Sequence, residues 1–197
     1  MVEDFKLTVE LVPETSWYSN LRKQLPRKQW DRIRQEAIAD ADQRCAICGA
    51  DGPLFCHEVW AYDDSQRIQR LAGFAALCSL CHHIKHLGMA GILAREGRLD
   101  FERVAEHFLA VNGCSRSAFE KYQSTVFRQW RKRSNVGWTV ELGEWGSLIK
   151  PATESRARVG HASIKSQAPQ PIDPLAYLLR SVVRLVTPIS RTRSAGV

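Results

Sequence analysis

The sequence predicts an α+β protein in which a small core, held together by cysteine residues, is flanked by longer helices and short edge strands. Two Cys-x-x-Cys motifs, Cys45–Cys48 and Cys78–Cys81, enclose a segment of strand-like residues. Apolar residues recur with the helical period on both sides of this segment. Near residues 5–11 and 138–142 they alternate with polar residues, which is the period of a half-buried strand. Both kinds of element are therefore expected around the cysteine motifs.

The size and composition suit a single domain with extensions. The chain has 197 residues, a mass of 22.3 kDa and an apolar fraction of 44%. No run approaches the roughly 18 apolar residues of a membrane span, and the acidic start is unlike a secretory signal. We therefore expect a cytoplasmic protein without membrane association. In a reducing cytosol, paired Cys-x-x-Cys motifs favour metal binding over disulfides.

The positive charge is concentrated near the C-terminus. The net charge is +7, and residues 147–197 hold eight Lys/Arg against two Asp/Glu, a net of +6 that leaves +1 for residues 1–146. The pI of 9.3 thus describes mainly the tail. Overall charge gives only weak support for a nucleic-acid partner.

Residues 1–44 are expected to pack on the core as a strand and a helix. Phe5–Leu11 alternates apolar and polar residues, and Pro13 ends the pattern. Pro26 then opens a helix with an apolar stripe that includes Trp30 and Ile33. The opposite face of this helix is charged, as expected for a helix at the surface.

Residues 45–90 form the predicted core. Leu54–Tyr62 and Arg67–Leu77 are expected to form a hairpin, with a turn at residues 63–65 and an interruption at Gly73. A short helix follows over His82–Leu87, limited by two nearby glycines. This order places a hairpin and a helix around the second cysteine motif.

Residues 91–146 are expected to contain two helices and a late strand. Asp100 caps the first helix, which Asn112–Gly113 closes. Ser117–Glu120 resembles a capping box that opens the second helix. The alternating residues 138–142 predict a late strand that pairs with the first one.

The remaining residues, 147–197, predict a basic, mobile tail. Their composition shifts to Ser, Pro, Gln, Arg and Ala. Within them, Leu175–Val186 is apolar enough for one helix, which would dock back on the domain or onto a protein partner.

The four cysteines of the two motifs predict a structural zinc site. Each Cys-x-x-Cys pair offers two thiolates from one tight turn, and two such pairs complete a tetrahedral set of ligands. The predicted ligands are Cys45, Cys48, Cys78 and Cys81. The other two cysteines, at positions 56 and 114, lack a partner at this spacing and are expected to be buried thiols.

Histidines close to the cysteines predict a second site. His82 and His86 are four residues apart, so they share one face of a helix. If the hairpin packs over that helix, His57 or Glu58 meets them there. A divalent metal with open positions could then stabilise charge on a scissile phosphate while a nearby base activates water.

The combined pattern resembles the zinc-knuckle form of the HNH endonucleases, the ββα-metal nucleases. The matching residues lie within positions 45–90: Cys45-x-x-Cys48, His57-Glu58 and Cys78-x-x-Cys81-His82-x-x-x-His86. The resemblance implies a zinc-stabilised ββα-metal core and metal-dependent hydrolysis of DNA phosphodiester bonds. It also implies a structural Zn²⁺, a catalytic ion such as Mg²⁺, Mn²⁺ or Ni²⁺, and a role in defence or in a mobile element.

The roles of the hairpin pair remain open. In one assignment, His57 is the general base and Glu58 assists His82 and His86 in holding the metal. In the other, His57 is a ligand and Glu58 is the base. Neighbours on a regular strand point to opposite faces, so both can act only if the strand is strongly twisted. The pKa of an imidazole near working pH favours His57 as the base.

Two alternatives to a nuclease also remain. Many nucleases of this type carry an Asn shortly before the second cysteine pair, where this chain has residues 73–77, Gly-Phe-Ala-Ala-Leu. This difference favours an inactive, zinc-dependent DNA-binding or adaptor protein with the same fold. The other alternative is a zinc-pinned scaffold for a helical interaction surface.

Contacts to DNA phosphates are predicted from basic residues near helix ends. The candidates are Lys85, Arg128, Arg131, Lys132 and Arg133. Such charges add affinity that does not depend on base sequence and that falls steeply with salt. A basic run at the end of a helix also interacts favourably with the helix dipole, which is an equally good explanation.

Overall fold

The structure is a computed structural model that describes residues 4–19 and 21–149. This part of the chain confirms the mixed α+β class. Its helices are α1 (Leu21–Gln24), α2 (Arg27–Asp40), α3 (Ser79–Lys85), α4 (Leu87–Arg95), α5 (Phe101–Asn112) and α6 (Arg116–Ser134). Its strands are β1 (Phe55–Asp63), β2 (Ile68–Leu77) and β3 (Thr139–Glu141), and two 3-10 helices cover Glu14–Ser19 and Gly143–Leu148. No helix among these is long and apolar enough to cross a membrane. The tail helix predicted at Leu175–Val186 lies outside the described residues.

The predicted hairpin is confirmed. β1 and β2 are antiparallel, with Phe55 opposite Leu77 and Asp63 opposite Ile68. The carboxylate of Asp63 accepts hydrogen bonds from the backbone N–H groups of Ser65 and Gln66, each at 3.0 Å. This side chain therefore holds the turn.

The interruption predicted at Gly73 is a β-bulge within a continuous strand. Val59 pairs with Gly73 and Trp60 pairs with Leu71, so Ala72 is the extra residue on β2. Gly73 has φ +154°, a backbone conformation that other residues rarely adopt.

The late strand is present, but its predicted pairing is wrong. β3 lies parallel to β2, with Ile68 opposite Thr139 and Arg70 opposite Glu141. The N–H of Thr139 also donates to the carbonyl oxygen of Arg67 at 2.9 Å. The three-stranded sheet therefore has the order β1-β2-β3.

The N-terminal segment alternates as predicted but forms no strand in the structure. Leu7 and Val9 are buried, and their N–H groups donate to the side chains of Asn112 (2.9 Å) and Tyr122 (3.0 Å). The amide N–H of Asn112 donates in turn to the Leu7 carbonyl at 3.0 Å. Side chains of α5 and α6 thus satisfy the backbone groups that a neighbouring strand would otherwise pair with.

Helix α2 agrees with the prediction and packs on the hairpin. Its Ile33 contributes to a buried cluster with Leu21, Leu25, Trp60 and Leu71. This cluster fixes α1 and α2 against one face of β1, while α3 packs against the same strand through other residues.

The helices after the second cysteine motif differ from the prediction. The glycines expected to limit the helix, Gly88 and Gly91, lie inside α4. The break comes instead at His86, whose φ of −102° and ψ of 48° separate α3 from α4. Gly91 is buried, but an added Cβ would meet no heavy atom within 4 Å, so close packing does not require a glycine there.

Helices α5 and α6 are present, with one corrected start. The carboxylate of Asp100 caps α5, and Gly113 closes it in the left-handed conformation, as predicted. The predicted capping box at Ser117 is wrong, because α6 begins two residues earlier. The hydroxyl of Ser115 accepts the N–H of Ala118 at 3.2 Å and is the actual cap.

Candidate metal centres

The four cysteines of the two motifs form one cluster that could hold a structural metal ion such as zinc. Their sulfur atoms all lie within 4.8 Å of one another, and Sγ of Cys48 is 3.6 Å from Sγ of Cys78. Zinc–sulfur bonds of about 2.3 Å in a tetrahedron separate the sulfurs by about 3.8 Å. The spacing and the donor chemistry therefore fit Zn²⁺. Cys56 and Cys114 are half-buried and lie outside this cluster.

The local electrostatics of the cluster also suit a cation. Burial raises the pKa of Cys45, but backbone hydrogen bonds from Cys48, Cys78 and Ile47 lower it overall to about 7. Burial and then the neighbouring thiolates raise the pKa of Cys81. Several thiolates at this separation repel one another strongly, and a bound dication removes that repulsion.

His107 contacts the cysteine cluster, although it lies 26 residues from Cys81 along the chain. Its Nε2 lies 3.2 Å from Sγ of Cys81. The contact joins α5 to α3, and no spacing rule in the sequence could have predicted it. An N–H group at this position can donate to a thiolate and stabilise its charge.

Three histidines form a second cluster. His57 on β1, His82 on α3 and His86 at the α3–α4 break have ring nitrogens within 4.8 Å of one another. The Nδ1 of His57 lies 3.2 Å from the Nε2 of His86. Nitrogens bound to one tetrahedral ion at about 2.0–2.1 Å are separated by about 3.3–3.4 Å. This geometry could hold a metal ion.

The carboxylate of Glu10, which belongs to no motif in the sequence, orients His57. The Oε2 of Glu10 lies 3.0 Å from Nε2 of His57, and its Oε1 accepts from Nζ of Lys85 at 2.8 Å. Burial raises the pKa of Glu10, but His57 and Lys85 lower it overall to about 2. The ionised carboxylate favours the His57 tautomer with the proton on Nε2. The lone pair of Nδ1 then faces the other two histidines.

The other two imidazoles are kept neutral. Burial, followed by the positive charge of neighbouring histidines, lowers the pKa of His82 to about 3. The same causes lower the pKa of His86 to about 4. Both rings therefore carry a free lone pair at neutral pH, which a metal ligand requires.

Glu58 does not join the histidine cluster. It lies on the opposite face of β1 from His57, and its carboxylate accepts the backbone N–H of Arg22 at 3.2 Å. Burial raises its pKa despite this hydrogen bond. Since β1 has the regular alternation of a strand at these two residues, the structure does not support Glu58 as a metal ligand or as a base beside His57.

Lys85 is buried and therefore poorly placed to contact phosphate. Only 10% of its side chain is exposed, and its ammonium group contacts Glu10 and the hydroxyl of Thr8. The predicted phosphate contact of this residue is contradicted by its inward direction. Its role is to hold Glu10 in place.

Two clefts open beside the histidine cluster. The aromatic cleft, of about 450 Å³, is lined by Trp17, Phe55, His82, His83, His86 and Met89, among others. The arginine cleft, of about 640 Å³, is lined by Arg22, Arg27, Asp31, Arg34, Phe55 and His82, among others. Phe55 and His82 belong to both. A ligand in either cleft would therefore reach the edge of the histidine cluster.

Of the four basic residues predicted near the end of α6, all but Arg131 line a separate cleft. Arg128 and Lys132 line it, together with Arg67. Arg133 is engaged, because its guanidinium donates to both carboxylate oxygens of Asp64 at 2.7 Å and lies over the Tyr62 ring. This α6 cleft shares no lining residue with the two clefts beside the histidines.

Comparisons of the chain with protein-family models, curated proteins and solved structures found no match. The functional proposal therefore depends on the residues and contacts described above.

Proposed function

We propose that this protein is a metal-dependent DNA endonuclease with an HNH-like site. The observation that carries the proposal is the convergence of His57, His82 and His86 beside the four-cysteine cluster, where two clefts reach the edge of the histidine cluster. In a ββα-metal core, a hairpin and a helix present ligands to one ion, and the positions of His57 on β1 and His82 on α3 support this proposal. The cysteine cluster would hold the structural Zn²⁺.

The chain's own residues would prepare the histidine cluster for a divalent ion such as Mg²⁺, Mn²⁺ or Ni²⁺. Glu10 fixes the tautomer and the direction of His57, and Lys85 fixes Glu10. His82 and His86 offer neutral rings to the same point. When bound, the ion would stabilise charge on the scissile phosphate and on the leaving oxygen.

This geometry favours His57 as a ligand over His57 as the base. One of its nitrogens faces Glu10 and the other faces His86, so neither is directed to a water molecule in a cleft. His83 lines the aromatic cleft, and burial lowers the pKa of its imidazole. We assign water activation to His83, a neutral imidazole at working pH.

The second candidate is an inactive, zinc-dependent DNA-binding or adaptor protein. The observation that favours it is the engagement of the hairpin pair: both ring nitrogens of His57 have partners, and Glu58 faces α1. A protein that kept the fold and lost catalysis would show the same contacts.

A plasmid-nicking assay with Mg²⁺, Mn²⁺ and Ni²⁺ on zinc-loaded protein distinguishes the candidates. A nuclease nicks the plasmid and binds a second equivalent of metal. His86→Ala should remove both properties and leave the zinc of the cysteine cluster, measured by mass spectrometry under native conditions. His83→Ala should lower nicking by about 10²–10⁴-fold with metal binding intact.

The other outcomes point to the alternatives. Wild-type protein that shifts DNA in a gel and leaves it intact with every metal supports the binding protein. A chain that neither binds nor cuts DNA supports the interaction scaffold, and the endonuclease proposal then fails.

A further inference from the structure

The large apolar side chains that the described residues leave exposed gather at one place. Trp17, Phe55 and Met89 are 50%, 44% and 43% exposed, and all three line the aromatic cleft. Exposing such side chains to water is unfavourable unless a ligand covers them. Their common position beside His82 and His86 indicates a binding surface.

Phe55 has the geometry of a stacking platform. Its ring lies on the imidazole of His82, with centroids 5.3 Å apart and planes at 12°. The contact restrains the Phe55 ring on one side, and the residue remains 44% exposed. A restrained, exposed aromatic ring is suited to stack with a nucleobase, because every base has a flat π-face.

The neighbouring arginine cleft supplies the complementary charge. Three arginines line it, Arg22, Arg27 and Arg34, against one acid, Asp31. Asp31 is 3.6 Å from Arg27, with both side chains at least half exposed, so this pair is weak. Lys23 adds a cation to the aromatic cleft. The surplus of cations favours a phosphate backbone.

We propose that the two clefts together bind a single strand of polynucleotide. Its phosphates lie over the arginine cleft, and one unstacked base enters the aromatic cleft against Phe55, with Trp17 and Met89 around it. A duplex keeps its bases stacked and paired, so it cannot fill the aromatic cleft without extruding a base. This proposal specifies the substrate class of the proposed endonuclease and rests on that function. Strand binding can nevertheless be measured without cleavage.

The first test measures the base contact. Fluorescence anisotropy follows a labelled oligothymidylate of about 12 nucleotides, long enough to cover both clefts, with zinc-loaded protein and no nicking metal. Trp17→Ala and Phe55→Leu should each weaken binding by about 5- to 100-fold. Phe55→Tyr keeps the ring and should bind within about twofold of the wild type. Zinc content and circular dichroism check the fold of each variant.

The second test measures the phosphate contacts. Replacing Arg22, Arg27 and Arg34 together by Gln should reduce the slope of log K against log salt by about 2. The matched control replaces three exposed arginines that line neither cleft, Arg32, Arg98 and Arg103, and should leave the slope unchanged. Arg128→Gln/Lys132→Gln removes cations from the α6 cleft and should also leave it unchanged.

The results separate this proposal from the nuclease function. Wild-type affinity in Trp17→Ala and Phe55→Leu overturns it, as does a slope that falls only in the α6 variant. Equal affinity for a duplex of the same length, unaffected by Trp17→Ala, also overturns it. An RNA oligonucleotide bound as tightly as DNA widens the ligand class and supports the same site. Strand binding without nicking supports this inference and refutes the endonuclease. Nicking that is unaffected by the aromatic variants and by the arginine variants supports the endonuclease and refutes this inference.

Discussion

The contact between Glu10 and its two donors allows a quantitative prediction for Glu10→Gln. The carboxylate accepts from Lys85 through one oxygen and faces Nε2 of His57 with the other. Glutamine has the same shape but only one oxygen, so its NH₂ group must face one of the two donors. The buried ammonium of Lys85 also loses its counter-charge.

The expected loss is about 3 kcal/mol in the free energy of unfolding at neutral pH. The pKa of Glu10 is about 2 in the folded protein against an ordinary value of 4.5, which corresponds to about 3 kcal/mol. Because the folded pKa is the lower one, this stabilisation is present above about pH 4.5 and is lost as the pH falls toward 2. The carboxylate is only 18% exposed, so solvent screens the interaction little.

Urea unfolding followed by tryptophan fluorescence, with zinc in excess, measures this loss. The double variant Glu10→Gln/Lys85→Met removes the unpaired ammonium and should be at least about 1 kcal/mol more stable than Glu10→Gln. A loss below about 1 kcal/mol in the single variant, or a double variant less stable than the single one, would refute the reasoning.

Three further predictions concern other contacts. Burial lowers the pKa of His86 to about 4, below the unfolded value of about 6.5, so the folded state loses stability as the pH falls from 6.5 to 4. In metal-free protein, His86→Gln should remove about 2 kcal/mol of that loss, measured by urea titration across this pH range. Arg133→Lys breaks the paired hydrogen bonds to Asp64 and should lower the free energy of unfolding by about 1 kcal/mol without weakening the proposed DNA binding. A weaker gel shift in a variant of unchanged stability would contradict this. His107→Leu removes the contact to Cys81 and should weaken zinc retention about 10-fold in a competition assay with a chromogenic chelator, whereas unchanged retention would show that the contact is incidental.

Local sequence rules predicted the elements that depend on local chemistry. The Asp63 turn, the Asp100 cap and the Gly113 closure involve groups within a few residues of one another. The two Cys-x-x-Cys motifs were also predicted from local sequence, since each pair is a local turn with a fixed ligand spacing. The four-residue spacing of His82 and His86 also predicted that their rings lie close together, although His86 lies at the break that follows α3.

Contacts between distant segments could not be predicted in this way. Alternation predicted which face of residues 5–11 is buried, but it could not show that Asn112 and Tyr122 take the place of a neighbouring strand. For the same reason, the sequence could not predict the contacts of Glu10, which is 47 residues from His57 and 75 from Lys85. The sequence predicted a surface cation at Lys85 because histidines lie on either side of it, whereas its carboxylate partner is 75 residues away along the chain.

The anchoring of residues 7–10 determines when the histidine cluster can be completed during synthesis. Glu10 is synthesised about 100 residues before Asn112 and Tyr122, which hold its segment. A nascent chain can close its cysteine motifs once residue 81 has emerged, and it cannot secure Glu10 until α6 follows. Premature termination between these points would therefore yield a fragment that contains all four cysteines of the cluster but in which Glu10 is not held against His57.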